Sequence, residues 1–317
     1  MVRFVPRRKP CGAADYKMNK ATDRAHIGRQ ILPHPPLAPR ALRHVQRSLQ
    51  KQWKRYRKEL KRCQEKFSEK AVHNSRVAAR RLSATIGLLE SFLRPEIVKK
   101  GSCLIKEHLD IFDELRDAQV QLMAVNSLQG TFPAARPFCE WLQKRESRFS
   151  KQTRACVKRT KAKPLAKLIA AAEDAFEKKL QKQKRDSAAD LLLRSINKAF
   201  RRTMRFKQRI RTDQPKSIHR TRVAFKRFRY MVDLLAEPLA ADEKMLDGMQ
   251  HYQTMMGDIQ DADVLLRSFD KFVRKKKIRS ESAIHLREEL LRRREWRIKI
   301  YMDAAGQLKE FWPIRRP

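Results

Sequence analysis

The chain has 317 residues, of which 75 are Lys or Arg and 35 are Asp or Glu, giving a formal net charge of +40. Its 41% hydrophobic content supports a core and argues against wholesale disorder, and with only 8 Gly the long charged segments favour helices over a sheet. Such a charge calls for counter-anions; nucleic acid, inorganic polyphosphate and an anionic membrane surface all qualify, and charge alone does not choose among them.

Residues 1–39 carry Pro6, Pro10, Pro33, Pro35, Pro36 and Pro39 with little periodicity, and read as a basic, Pro-rich arm outside the folded body. The start lacks the apolar core of a secretory signal, while its Arg-rich, acid-poor composition is one that transit peptides share. From Ala41 the pattern is helical almost to Trp312. A first half, 40–184, is expected to hold helices near 41–67, 72–93, 97–128 and 136–181, the last broken at Pro164. A second half, 185–317, is expected to hold helices near 188–211, 217–236, 240–274 and 280–308. The expected fold class is all-α, two four-helix bundles packed as pseudo-symmetric partners. No apolar run approaches the ~18–20 residues a membrane span needs. Cys11, Cys63, Cys103, Cys139 and Cys156 are scattered without metal-ligand spacing, which fits a reduced cytosolic protein.

The division into halves rests on an internal repeat. VHNSRVAARRLSATIGLLESFL (72–93) aligns without gaps with IHRTRVAFKRFRYMVDLLAEPL (218–239), pairing His73 with His219, Arg76 with Arg222, Arg80 with Lys226 and Arg81 with Arg227. A second pair follows at similar distance: LRDAQVQL (115–122) and IQDADVLL (259–266), pairing Asp117 with Asp261. Two motifs in the same order at similar separation make the chain a tandem duplication.

Placed at ~100° per residue, His219, Arg222, Lys226 and Arg229 share an arc of about 80°, opposite Ala224, Phe225, Phe228, Met231, Val232 and Leu235. The first copy repeats this with His73, Arg76 and Arg80 against Ala78, Leu82, Ile86 and Leu89, but has Ser83 at the fourth position. The preceding helices carry rows of their own: Arg43, Arg47, Lys51, Lys54, Lys58 and Lys61 in the first half, and Arg194, Lys198, Arg201, Arg202, Arg205 and Arg209 in the second. A charged helix face is usually just solvated. A solvated face normally mixes signs through i,i+4 pairs, however, and rows of one sign repel unless an anion lies along them. Trp53, Tyr56 and Phe228 fall on apolar faces and read as core, while Tyr230 lies nearer the basic arc.

In the doubled His-x-x-Arg-Val motif at the start of a basic helix, each copy followed by its LRDAQV- or IQDADV-like segment, the chain resembles the CHAD family, the conserved histidine α-helical domain. The resemblance runs from about Ala41 to Trp312. It implies a pair of four-helix bundles with a basic cavity between them, binding of inorganic polyphosphate and association with polyphosphate granules, without catalysis. Carried over residue by residue, it lands on His73, Arg76, Arg80 and Arg81, and on His219, Arg222, Lys226, Arg227 and Arg229. The flanking rows, Arg43 to Lys58 and Lys198 to Arg209, extend the expected surface.

His73 and His219 are expected in the first turn of their helices, where a helix N-terminus and an imidazole both favour an oxyanion; the competing reading is a locally packed His. Asp117 and Asp261 read as structural, orienting a neighbouring Arg or satisfying donors at a helix end. His108 follows Glu107 outside any HExxH pattern, and the chain has no P-loop, GxSxG elbow or Gly-rich dinucleotide turn. No catalytic residue, metal or cofactor is therefore expected. Nonspecific nucleic-acid binding is the alternative function, with base readout disfavoured because the stripes offer mainly Arg and Lys. A scaffold recruiting acidic partners or a membrane surface is a weaker third reading, and homo-oligomerisation stays open.

Overall fold

The computed structural model describes residues 41–182 and 185–313, without the side chains of 185–187; the Pro-rich arm lies outside the described residues. Every regular element described is helical. The first half holds α1 (Ala41–Glu65), α2 (Glu69–Leu88), α3 (Pro95–Asp110), α4 (Asp113–Asn126), α5 (Ala135–Arg159) and α6 (Lys163–Lys182). The second holds α7 (Arg185–Gln208), α8 (Pro215–Leu234), the single turn α9 (Ala236–Leu239), α10 (Glu243–Lys276) and α11 (Glu281–Ala304).

Local chemistry explains most of the boundaries. Ser68 caps α2 by accepting from the Ala71 backbone N–H, and Pro215 opens α8 at a position where no N–H is needed. Both helices therefore begin four residues before His73 and His219. The histidines sit in the second turn, away from the free backbone N–H groups, which corrects the expectation of a first-turn placement. The helix expected over 97–128 is also interrupted: α3 ends at Asp110 and α4 starts at Asp113, whereas its counterpart α10 runs unbroken. The break expected at Pro164 falls between α5 and α6.

The apolar faces read from the sequence are the buried ones. Ala78, Leu82, Ile86 and Leu89 of the first copy and Phe225, Phe228, Met231, Val232 and Leu235 of the second are all buried. The largest core cluster draws on both halves, joining α1, α2, α3 and α6 to α7, α8 and the first part of α10. Near its second-half end, Trp312 packs edge-on against Phe228 with ring centroids 6.0 Å apart and donates from Nε1 to Asn197 Oδ1 at 2.6 Å. A second cluster joins the α4–α5 and α10–α11 hairpins through Phe138, Phe269 and Phe272, with Phe138–Phe269 centroids 5.0 Å apart. The matched helices α2 and α8 touch, and so do α4 and α10. The two copies of each repeated motif are thus brought face to face.

Candidate polyanion-binding cluster

Where α2 meets α8, the basic stripes of the two halves converge. Lys226 lies partly buried, and its ammonium is pushed from an ordinary 10.5 down to about 6. Burial is the main cause, followed by repulsion from Arg80, Arg222 and Arg76, with Asp113 opposing. Two of those three guanidinium groups come from the other half of the repeat.

Arg76 is buried and held at 3.2 Å by Asp113, the first residue of α4. Its pKa falls from 12.5 to about 10 through burial and then Arg80. Arg222, its repeat partner, is lowered by burial, partly offset by Asp261. The Nε atoms of Arg76 and Arg222 are both buried without a hydrogen-bond partner, so the same donor is left unsatisfied at matched positions. Gly257 of α10 faces Arg222: a Cβ there would stand 3.4 Å from its Nη2.

The paired acids also face each other. Asp117 is raised from 3.8 to about 6 by burial, then by Asp113 and Asp261, while Arg76 and Arg267 pull it back. Asp261 is likewise raised by burial, against Arg222. Both sit inside helices, so the expected role at a helix end does not apply; they stand among the arginines instead. Desolvation by the packed neighbours and the charge of Arg222 lower His219, against a hydrogen bond with Gln260 that raises it. Both His219 on α8 and His73 on α2 are exposed at the surface.

Other expected site residues have different surroundings. Arg229 is buried, accepted by Gln253 at 3.0 Å, 3.5 Å from Asp233 and 4.8 Å from the Tyr230 ring centroid, so it is held within the protein and Tyr230 is covered by it. Arg81 is half-buried and close enough to Asp233 to lower that acid. Arg227 and Lys198 converge on one carboxylate, each 2.7 Å from Glu90 of the first half. Arg43, Arg47, Lys51, Lys54 and Lys58 on α1, and Arg201, Arg202 and Arg205 on α7 with Arg209 just past its end, where the helix expected to reach 211 has stopped at Gln208, are all exposed.

Glu90 has no acidic counterpart in the repeat, because Ala236 occupies the matching position. Glu90→Gln is expected to strengthen polyanion binding a few-fold by freeing Arg227 and Lys198. The cost in stability should be under about 1 kcal/mol, because the three side chains are partly exposed. Paired binding titrations and urea melts measure both effects; unchanged affinity would mean that the freed bases do not reach the anion.

Sequence reasoning missed four bases that join the cluster. Arg116 and Arg267 flank the repeated Asp motifs, Arg116 being 3.2 Å from Glu69. Arg116 lowers Asp261 and Arg267 lowers Asp117. Arg145 of α5 stacks on Trp141 with its guanidinium carbon 4.6 Å from the ring centroid, and Arg297 of α11 lowers both Asp258 and Asp261. The repeat motif gave a signal for the first two; α5 and α11 carry no aligned motif that would have flagged the others.

Among the described residues no group of His, Cys, Asp or Glu is arranged to hold a metal ion, and no helix is long and apolar enough to cross a membrane. No curated protein matches the chain. Two solved structures share its fold across 87% of its length. One is the crystal structure of the CHAD domain from the plant Ricinus communis, with TM-score 0.62, 17% identity and 95% of that chain covered. The other is PptA from Streptomyces chartreusis, with TM-score 0.58, 12% identity and 99% of that chain covered. The family model for the CHAD domain matches residues 40–270, ending within α10, while the structural likeness covers a larger share of the chain. This all-helical chain belongs to the CHAD domain family.

Proposed function

We propose that the protein binds inorganic polyphosphate without catalysis of its own, on polyphosphate granules in the cytoplasm. On this reading the halves 40–184 and 185–317 are pseudo-symmetric four-helix bundles with the basic cluster between them. His73, Arg76 and Arg80 with His219, Arg222 and Lys226 form the central contacts. The exposed α1 and α7 rows extend the track outward.

One observation carries the reading: Lys226 is held beside Arg80, Arg222 and Arg76, drawn from both halves. Clustered cations on a partly buried surface are unfavourable in the empty protein, and a dense polyanion relieves that repulsion. Polyphosphate offers oxyanions at short, regular spacing and no bases. Its recognition therefore needs Arg forks and Lys point charges, with no stacking platform. Bases every three or four residues meet such a chain about every 5 Å along a helix. The main aromatic candidate on the face, Tyr230, is covered by Arg229, which favours polyphosphate over single-stranded nucleic acid.

A competition titration tests the assignment. Labelled long-chain polyphosphate, bound near physiological salt, should resist displacement by duplex DNA or RNA at equal phosphate concentration. Displacement by nucleic acid at comparable concentration would overturn the choice of anion.

A further inference from the structure

A second basic site, sharing Lys54 and Lys58 with the outer α1 row of the proposed polyphosphate track, lies away from the α2–α8 junction, in an open groove of about 820 Å³ between α1, the α5–α6 connection and α6. Its volume falls in the range of small-ligand sites. The charges that shift Arg76, Arg222 and Lys226 most come from α2, α4, α8 and α10, and α1 supplies none of them. The groove also breaks the duplication. Its far wall is α6, and the described second half has no equivalent helix, because α11 passes into a 3-10 turn at Ala305–Lys309. A track built by the repeat does not require such a groove, so it calls for a separate account.

Its lining is chemically graded along α1. Toward the N-terminal side stands Trp53, expected to be core but only half-buried, its inner side stacked on Tyr56 at 5.9 Å and 22°. The exposed Arg57 reaches over the Trp53 ring with its guanidinium carbon 5.8 Å from the centroid. Gln50 beside them offers an amide that both donates and accepts. Farther along come Lys58 and Lys61, both exposed, of which only Lys61 has a carboxylate near it, Glu65 at 3.6 Å. Across the groove, Glu173 of α6 is raised by burial and is the one acid in the lining. From Trp53 to Lys61 the helix rises ~12 Å, about the reach from a nucleobase to the terminal phosphate of a nucleoside triphosphate.

We propose that this groove is a nucleoside triphosphate site. The base lies on Trp53 and is covered by Arg57 swinging from its present position, and the phosphates lie along Lys54, Lys58 and Lys61. A plain phosphate chain would use the lysines but gain nothing from Trp53. An aromatic anion uses both ends, which is what selects a nucleotide over a further stretch of polyphosphate. Gln50 stands within the base-binding end, where an amide can meet a base edge.

Calorimetric titration of the intact protein with ATP, and separately with inorganic triphosphate, tests this without divalent cations. ATP is expected to bind one to one and more tightly than triphosphate. Trp53→Leu should weaken ATP by about tenfold while leaving triphosphate and long-chain polyphosphate where they were. Arg57→Glu with Lys61→Glu should weaken ATP at least as much. Because Trp53 stacks on a core tyrosine, Arg57→Ala serves as a second probe of the base-binding end that leaves the core intact; it should weaken ATP more than triphosphate. Equal affinity for ATP and triphosphate, unmoved by Trp53→Leu and Arg57→Ala, would overturn the proposal and make the groove a phosphate site alone. Undetectable ATP binding would overturn it too, as would ATP binding lost through Arg222→Glu with Lys226→Glu rather than through the groove variants. Loss of polyphosphate binding in those α8 variants, by contrast, bears on the central cluster and leaves the groove standing.

Discussion

Arg222→Glu combined with Lys226→Glu is expected to weaken binding of long-chain polyphosphate by at least about 100-fold near physiological salt, because two charge-assisted contacts become two repulsions. Lys226 stands among Arg80, Arg222 and Arg76, so an acid there gains partners from the first half of the chain. At position 222 an acid would face Asp261 and Asp258, which is the weaker point of the design. Arg222→Gln with Lys226→Gln avoids that repulsion and should still cost about tenfold, each lost contact to a charged group being worth ~1.5–3 kcal/mol before neighbouring bases compensate. Far-UV circular dichroism on both pairs separates lost binding from lost fold. Unchanged affinity in a folded Gln pair would remove α8 from the binding surface. The salt dependence should change in parallel: the slope of log affinity against log salt should flatten by about two charges' worth in the Gln pair, by the counterion-release argument.

The second large effect is a proton taken up on binding. With its pKa depressed to about 6, Lys226 is mostly neutral in the empty protein at pH 7.5. A polyanion laid across Arg80, Arg222 and Arg76 cancels the repulsion that lowers it, and the ammonium re-forms. Affinity should therefore rise as pH falls from about 9 towards 6, the window below the unperturbed lysine value and down to the perturbed one. Asp117, raised to about 6, acts in the same direction at the acid end, since its protonation removes a negative charge from the cluster. Titration at pH 7.5 in buffers of different ionisation enthalpy reads the proton directly: close to one should be taken up per protein, and close to none in Lys226→Met.

Stability moves the opposite way. A lysine whose folded pKa lies below its unfolded value binds fewer protons in the native state. The ligand-free protein thus gains stability as pH rises from about 6 towards 10.5, and loses that contribution as pH falls. Lys226→Met should flatten this dependence and stabilise the free protein at pH 7 by about 1–4 kcal/mol, because folding no longer has to strip the lysine of the proton that the unfolded chain keeps. The same variant should bind polyphosphate less well. A purely structural lysine would not show greater stability together with weaker binding. A variant less stable than the parent at pH 7, with no change in proton uptake, would contradict this account of Lys226.

Much of the fold could be read from the repeat, because helical periodicity fixes which side chains share a face before any tertiary contact is known. That is why Phe225, Phe228 and Met231 fall in the core and Arg222 and Lys226 fall outside it, as placed by angle. The break between α3 and α4 was hidden because Ile111 and Phe112 carry no proline or glycine to announce it, while Pro164 announced the gap between α5 and α6. The histidine placement failed for a different reason. Starting the helices near 72 and 217, at the edge of the apolar repeat, passes over Ser68 and Pro215, which are the better start signals.

For the candidate site, sequence could supply stripes but not their partners. Glu90 reaches Lys198 and Arg227 across 108 and 137 residues of chain, and no local pattern foretells that. Arg229 sits in the stripe by angle, yet Gln253 and Asp233 hold it inside. The convergence of Arg76 and Arg80 on Lys226 depends on α2 packing against α8, which helical periodicity within either half does not specify.

The central claim is that the two halves form one binding surface rather than two copies of the same site. Titration with a short polyphosphate, read for stoichiometry on the parent and on two variants, Arg76→Gln with Arg80→Gln and Arg222→Gln with Lys226→Gln, tests it most directly. One chain per protein is predicted, with either pair of substitutions weakening that single event. Two equivalent chains per protein, each pair of substitutions removing one and sparing the other, would contradict it.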